Sequence, residues 1–270
     1  MTPFPLTWLY APGDRPHVVT KALAEDADVV VIDLEDAVAP DRKEYARAAT
    51  AERLVEPQRV PVHVRVNALD GPWAAADLTA LATLPGVTGL RLPKVSYAGQ
   101  VRQVAVATAR PLYALLESAL AIEHAYTIAA AHPSLRGISL GEADLRADLG
   151  VRADAGLDWP RSRVVVAARA AGLPPPPQSV HPDIRDLDGL AASCARGRAL
   201  GFLGRAAIHP RQLPVIERAY LPTPAELEHA ETIIKAAATE QGAQALPDGR
   251  FVDAAVVAAA RRTLSLARRE

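Results

Sequence analysis

The chain is nearly without cysteine and poor in lysine. Cys194 is the single cysteine in 270 residues, which excludes an intrachain disulfide framework and a multi-cysteine zinc or iron–sulfur cluster. Lysine occurs four times against 26 arginines, which we read as composition bias. Charge of one sign is also missing. The formal net charge is -1, so no overall bias draws the chain toward nucleic acid. No stretch approaches the roughly 20 apolar residues of a membrane span, and "MTPFPLTWLY" lacks a charged segment followed by a long apolar run. The expectation is a cytoplasmic protein with small-molecule substrates and no nucleic-acid or membrane partner.

Half of the residues are hydrophobic, enough for a sizeable core. Short apolar runs that read as buried strands begin near Thr7, Val29, Val62, Thr88, Leu112, Gly137, Gln178 and Gly204. Alanine-rich stretches with helical spacing separate them, among them "PHVVTKALAED", "AAADLTALATL", "SALAIEHAYTIAAAH" and "LDGLAASCARGRALG". The mean pitch, about 28 residues from one strand to the next, is close to the ~31 of a (β/α)8 TIM barrel. An open doubly wound sheet is the alternative, but no G-x-G-x-x-G follows the first strand. After the eighth run come "TPAELEHAETIIKAAATEQGA" with a Thr-x-x-Glu cap, a D-G turn in "LPDGRFVD", and a last helix. The spacing therefore predicts a TIM-barrel catalytic domain over 1–220 and a C-terminal helical extension and lid over 221–270.

In such a barrel chemistry belongs at the C-terminal strand ends. Those ends carry Asp33, Glu35 and Asp36, then Arg65 and Asn67, Lys94, Glu117, Glu142 and Asp144, and His209. Glu117 closes the apolar run "LYALLE" alone. A lone buried carboxylate there costs several kcal/mol unless it is paired or binds a metal; the alternative is a cap for the following helix. Asp144 follows 27 residues later, one barrel unit on. Two carboxylates completed by water suit Mg2+ better than zinc. Arg65 has the shape to hold a substrate carboxylate, or it neutralises the Asp33, Glu35 and Asp36 cluster. The two roles are compatible. Lys94 reads as an ion-pair partner before a Schiff-base nucleophile. His209 fits substrate binding and a rim hydrogen bond equally, while His63, His181 and Cys194 read as structural.

The stretches "LYAPGDRP", "VVVIDLEDAV", "VHVRVNALDG", "LRLPKV", "LLESALAIEHA", "ISLGEADLRADLG", "AIHPRQL" and "DGRFVDAAVV" resemble, in order and spacing, the citrate lyase beta subunit and its stand-alone relatives. These belong to the wider group of magnesium-dependent aldolases and malyl-CoA or citramalyl-CoA lyases. The resemblance implies a TIM barrel in a homotrimer or homohexamer, with Glu117 and Asp144 as Mg2+ ligands. It further implies Glu35 and Asp36 holding the metal's waters and Arg65 gripping an oxaloacetate-like or other 2-oxo acid. Asp253 corresponds to an acid on a C-terminal lid that in some relatives reaches a neighbouring subunit. Gly141 and Glu142 fall in the substrate-binding segment, and Arg15 is assigned to the CoA phosphates. The implied reaction is carbon–carbon cleavage or formation beside an acyl-CoA thioester, with a site carboxylate as base. Ser118 and Ser96 depart from the family's usual Thr and Glu, the second bearing on substrate identity. Citrate lyase alpha and acyl carrier subunits are left open as partners, since the chain is closer to the short stand-alone relatives. A CoA-independent aldolase and a non-catalytic CoA-ester-binding or assembly subunit are the competing readings.

Overall fold

The computed structural model describes residues 4–239, 244–245 and 251–267. Two compact units divide the chain, one of Leu6–Ala219 and one built around 220–267. No helix among the described residues is long and apolar enough to cross a membrane.

The first unit is an α/β fold on a parallel sheet of seven strands: β1 (Thr7–Pro12), β2 (Val29–Asp33), β3 (Val62–Arg65), β4 (Gly89–Leu92), β5 (Leu112–Leu116), β6 (Leu135–Leu140) and β7 (Arg205–Ala207). Their order is β6-β5-β4-β3-β2-β1-β7. Sequential strands lie side by side while the last returns to the first, so the sheet curls as in a TIM-barrel-like fold. The strands are buried on both faces, which explains their near-continuous apolar runs. Side chains still alternate. Leu90 and Leu92 of β4 occupy the convex side with Leu9, Ile32, Val64 and Leu116, all buried. Tyr10, Asp33, Arg65, Arg91, Leu115 and Glu117 line a cavity on the concave side. Gly89 is required there, because a Cβ would lie 2.8 Å from both His63 Cδ2 and Tyr113 Cε2, whose rings stack with centroids 4.3 Å apart.

One expected strand is not formed. The run at Gln178 contributes a single bridge to Arg205, and among the described residues the sheet ends at β6 without a ladder to this segment. The cause lies just upstream. Pro174 to Pro177 supply no backbone N–H, so extended chain passes with little more than Gln178 N bonded to Gly204 O (2.9 Å) and Ala206 N bonded to Gln178 O (3.0 Å).

Helices fill the connections: α1 (Pro16–Ala24), α2 (Lys43–Arg53), α3 (Ala74–Leu81), α4 (Ala98–Thr108), α5 (Ala119–Glu123), α6 (Ala125–Ala129), α7 (Glu142–Leu149), α8 (Asp158–Ala170), α9 (Leu187–Leu200) and α10 (Leu213–Tyr220). The stretch expected as one helix after β5 is two, broken at His124, whose Nδ1 lies 2.9 Å from Ser96 O.

In the second unit α11 (Pro224–Thr239) and α12 (Ala254–Ala267) pack through Ala230, Ile233, Val252 and Ala260. Thr223 and Glu226 cap α11 reciprocally, with Thr223 N on Glu226 Oε2 at 2.7 Å and Glu226 N on Thr223 Oγ1 at 3.2 Å. A short antiparallel pair joins Gln244–Ala245 to Phe251–Val252. The D-G turn falls outside the described residues.

Candidate active site

The site is built from the loop after β2. Asp33, the last residue of β2 and 2% exposed, turns its carboxylate back on the chain. Oδ1 accepts from Glu35 N (2.9 Å) and Oδ2 from Ala37 N (3.1 Å). The same oxygens accept a fork from Arg65, Nε at 2.7 Å and Nη2 at 2.6 Å, because β2 and β3 pair Asp33 with Arg65. Lys43 staples the loop from the other side, donating to Leu34 O (2.8 Å) and Glu35 O (2.7 Å). Burial draws the Lys43 ammonium below its ordinary pKa, against the pull of Asp33, Glu35 and Asp36. Asp33 is thus the organiser of the loop, and Glu35 and Asp36 are what it presents.

Arg65 Nη1 reaches Glu35 Oε2 at 2.9 Å and Asp36 Oδ2 at 3.2 Å. Lys94 Nζ pairs with Glu35 Oε1 and lies 3.4 Å from Asp36 Oδ1. Burial nevertheless raises the Glu35 carboxyl above its ordinary pKa. Asp36, more open, is held below its own by Arg65, a hydrogen bond from Glu35 and Lys94, burial opposing. Lys94 is kept protonated: burial opposes this, but Glu35 and Asp36 outweigh it. That disfavours the free amine a Schiff base needs. Of the two compatible readings of Arg65, the neutralising one has a geometry: Nε and Nη2 fork Asp33 while Nη1 reaches Glu35 and Asp36.

Glu117 follows β5 and is 4% exposed. It is not a helix cap; Ser118 caps α5, its Oγ accepting from Ala121 N at 3.2 Å, and lies 3.5 Å from Ser96 Oγ. Glu117 Oε2 instead accepts from Lys94 N at 2.9 Å. Burial first, then the negative charges of Glu35 and Asp144, push its carboxyl up to about 7, with Arg65 opposing. Asp144 and Glu142, expected at the end of β6, stand beyond it in the first turn of α7, where the helix dipole favours carboxylates. Gly141, before them, leaves the space that Glu117 fills, for a Cβ there would collide with Glu117 Oε1 and Cγ.

Asp33, Asp36, Arg65, Glu117, Gly141, Glu142 and Asp144 share the lining of one cavity of about 430 Å3. Its donors are all oxygen. Among the described residues no group of three or more His, Cys, Asp or Glu is gathered to hold an ion; of the five carboxylates lining the cavity, Asp33, Asp36 and Glu142 are in ion pairs with Arg65, Lys94 and Arg161, and Glu117 and Asp144 are in none among the described residues. That donor set fits Mg2+ and not zinc. Glu35 Oε2, buried and without an aligned hydrogen-bond donor, is a further acceptor at the rim.

Other sequence-named residues have partners of their own. The Glu142 carboxylate is forked by Arg161, Nε at 2.9 Å and Nη2 at 2.7 Å; its backbone N–H donates to Ser179 Oγ. Arg15 precedes α1, exposed, with Nε 4.0 Å from Asp14. His209 accepts from Arg211 N in its own rim turn. Asp253, in the second unit, caps α12 through Oδ1, which accepts from Val256 N at 2.9 Å. Sequence reasoning passed over Tyr10, Lys43, Arg91 and Arg161. Inward alternation in "GLRL" was the one available sign of Arg91.

Residues 6–210 match the HpcH/HpaI aldolase/citrate lyase family. The chain is 38% identical to a (3S)-malyl-CoA thioesterase of Cereibacter sphaeroides, across 96% of this chain and 93% of that protein. It is 33% identical to the L-malyl-CoA/beta-methylmalyl-CoA lyase of the same species, across 92% and 90%. The structure of CitE from Mycobacterium tuberculosis in complex with magnesium, acetoacetate and coenzyme A superposes with a TM-score of 0.86 at 38% identity, over 98% of each chain.

Proposed function

This chain belongs to the HpcH/HpaI aldolase/citrate lyase family, and from that premise we propose that it is a Mg2+-dependent carbon–carbon lyase acting on a 3-hydroxyacyl-CoA thioester such as malyl-, citramalyl- or citryl-CoA. The products are a 2-oxo acid and an acyl-CoA. The observation that carries this reading is the Glu117 carboxylate, 4% exposed and lining one cavity with Asp144, Asp36 and Arg65, a buried charge that a divalent cation would offset.

Glu117 and Asp144 are the residues that would hold the ion directly, with Glu35 and Asp36 accepting from its waters. When bound, Mg2+ would supply positive charge for the oxyanion formed as the hydroxyl proton leaves; the electron pair of the carbon–carbon bond then passes to the α-carbon of the acyl-CoA, which takes up a proton. Arg65, its plane set by Asp33, orients the carboxylate of the 2-oxo acid. Lys94 stays protonated and holds Glu35 and Glu117 in place. A carboxylate takes the hydroxyl proton in the cleavage direction. We assign it to Asp253, whose Oδ1 caps α12, acting in the site of a neighbouring copy in a homotrimer or homohexamer. Arg15, exposed and following β1, serves the CoA phosphates. The helices and short strand pair of 220–267 would then form the lid, and the segment at Gln178 the eighth position of a complete barrel.

A second reading is hydrolysis of the thioester, favoured by the relative named (3S)-malyl-CoA thioesterase. One assay separates the possibilities. Malyl-CoA, citramalyl-CoA, 3-hydroxy-3-methylglutaryl-CoA and citryl-CoA are each incubated with Mg2+ or with EDTA, and 2-oxo acid, acyl-CoA and free CoA are followed. EDTA-sensitive release of 2-oxo acid with acyl-CoA is the expected result. Free CoA with intact hydroxy acid would establish hydrolysis instead, and turnover of free 2-oxo acid aldols alone would overturn both.

A further inference from the structure

The concave face holds one buried cation that the reaction outlined above does not use. Arg91, in β4, is 3% exposed and lines the same cavity as Glu117 and Asp144. The other buried cations of the unit each have short polar partners, although Arg205 Nε, like Arg91 Nε, has none. Arg161 has Glu142, Lys43 has two carbonyls, and Arg205 Nη1 has Gln178 Oε1, Ser193 Oγ and Cys194 Sγ. Arg91 has only a long contact, Nη1 to Tyr10 Oη at 3.4 Å, while its Nε has no partner. No ion pair joins it to any described carboxylate. Around it stand the rings of Trp8, Tyr10 and Tyr113, with centroids 5.9, 5.9 and 5.7 Å from Cζ, at the outer edge of useful cation–π range.

A guanidinium buried among neutral rings and open to a cavity is an unfilled anion site, because an uncompensated buried charge gains most from a ligand of opposite sign. Tyr10 sets its position relative to the strand-end cluster, since the Arg65 guanidinium lies 5.5 Å from the same ring. An acid whose 1-carboxylate is oriented by Arg65 therefore has a second cation beside it, because β3 and β4 pair Arg65 with Arg91 in register. We propose that Arg91 is a specificity-determining residue that receives a second carboxylate of the 2-oxo acid fragment, so that the site selects a dicarboxylic 2-oxo acid over a monocarboxylic one. This rests on the lyase reading above and adds the substrate class to it. Ser139, also lining the cavity, offers a hydroxyl on the neighbouring wall.

The test is calorimetric titration of the full chain with oxaloacetate and with pyruvate, with Mg2+ and with EDTA, for wild type, Arg91→Met and Arg91→Gln. Two neutral variants are used so that a packing fault in one does not decide the outcome, and each is checked for cooperative unfolding. Wild type is expected to bind oxaloacetate at least tenfold more tightly than pyruvate. The neutral variants are expected to weaken oxaloacetate at least tenfold and pyruvate far less, bringing the two acids within about twofold. Mg2+-dependent binding of pyruvate with no preference for oxaloacetate in wild type, or a preference that survives in a folded neutral variant, would overturn the role of Arg91 alone. Pyruvate binding indifferent to EDTA would overturn the Mg2+ reading, and this inference with it.

Discussion

Lys94 holds two carboxylates of the site at once: its main-chain N–H donates to Glu117 Oε2 at 2.9 Å while its ammonium pairs with Glu35. It does so from a left-handed backbone conformation, φ 54°, which a side chain adopts at a cost of roughly 1–2 kcal/mol. Backbone and side chain therefore contribute separately. Lys94→Gly and Lys94→Ala both lose the ion pair, but the glycine variant is expected to be more stable than the alanine variant by about 1 kcal/mol in urea unfolding. Equal midpoints would show that the conformation relaxes on substitution.

The metal-free protein should lose stability on the alkaline side because of Glu117. Its carboxyl is raised from an ordinary 4.5 to about 7, so between those values the folded state binds more protons than the unfolded one. The stability this group contributes is present below about pH 4.5 and is lost as pH rises through about 7, amounting to about 3 kcal/mol. Unfolding measured from pH 5 to 8 in EDTA is expected to show that decline in wild type, and Glu117→Gln is expected to flatten it. An unchanged slope in the variant would place the titration elsewhere.

Glu142 was read as a substrate residue, yet its carboxylate is committed to Arg161, a side chain only 5% exposed. Breaking such a pair by removing one partner costs about 3–5 kcal/mol. Glu142→Ala is expected to fall in that range by urea unfolding, and Arg161→Ala to match it. A stable Glu142→Ala protein with a raised KM would instead show that Glu142 acts on substrate.

Strand positions were legible because each buried parallel strand is a short apolar run, and Glu117 stood out as a lone carboxylate closing one of them. What alternation could not distinguish was the division of labour among Asp33, Glu35 and Asp36. It is set by the register that places Asp33 opposite Arg65, a relation between segments 32 residues apart. The run at Gln178 forms only a bridge to Arg205; apolar composition does not count the N–H donors that Pro174 to Pro177 lack. Arg91 had one sign, its alternation with the leucines of a buried strand, and composition does not tell which face of that strand turns inward. Asp253 carries two signals in one residue. Its Oδ1 caps α12 in the structure, and its catalytic assignment is part of the proposal.

The most direct test of the central claim is calorimetric Mg2+ binding to wild type, Glu117→Gln and Asp144→Asn between pH 6 and 8. One Mg2+ per chain is expected for wild type, with affinity falling by up to roughly tenfold per pH unit below about 7, since the ion must displace the Glu117 proton. Each substitution is expected to weaken binding by at least about tenfold, and Glu117→Gln to remove the pH dependence. Wild-type affinity and pH dependence in both variants would contradict the assignment of Glu117 and Asp144 as the residues that hold the ion.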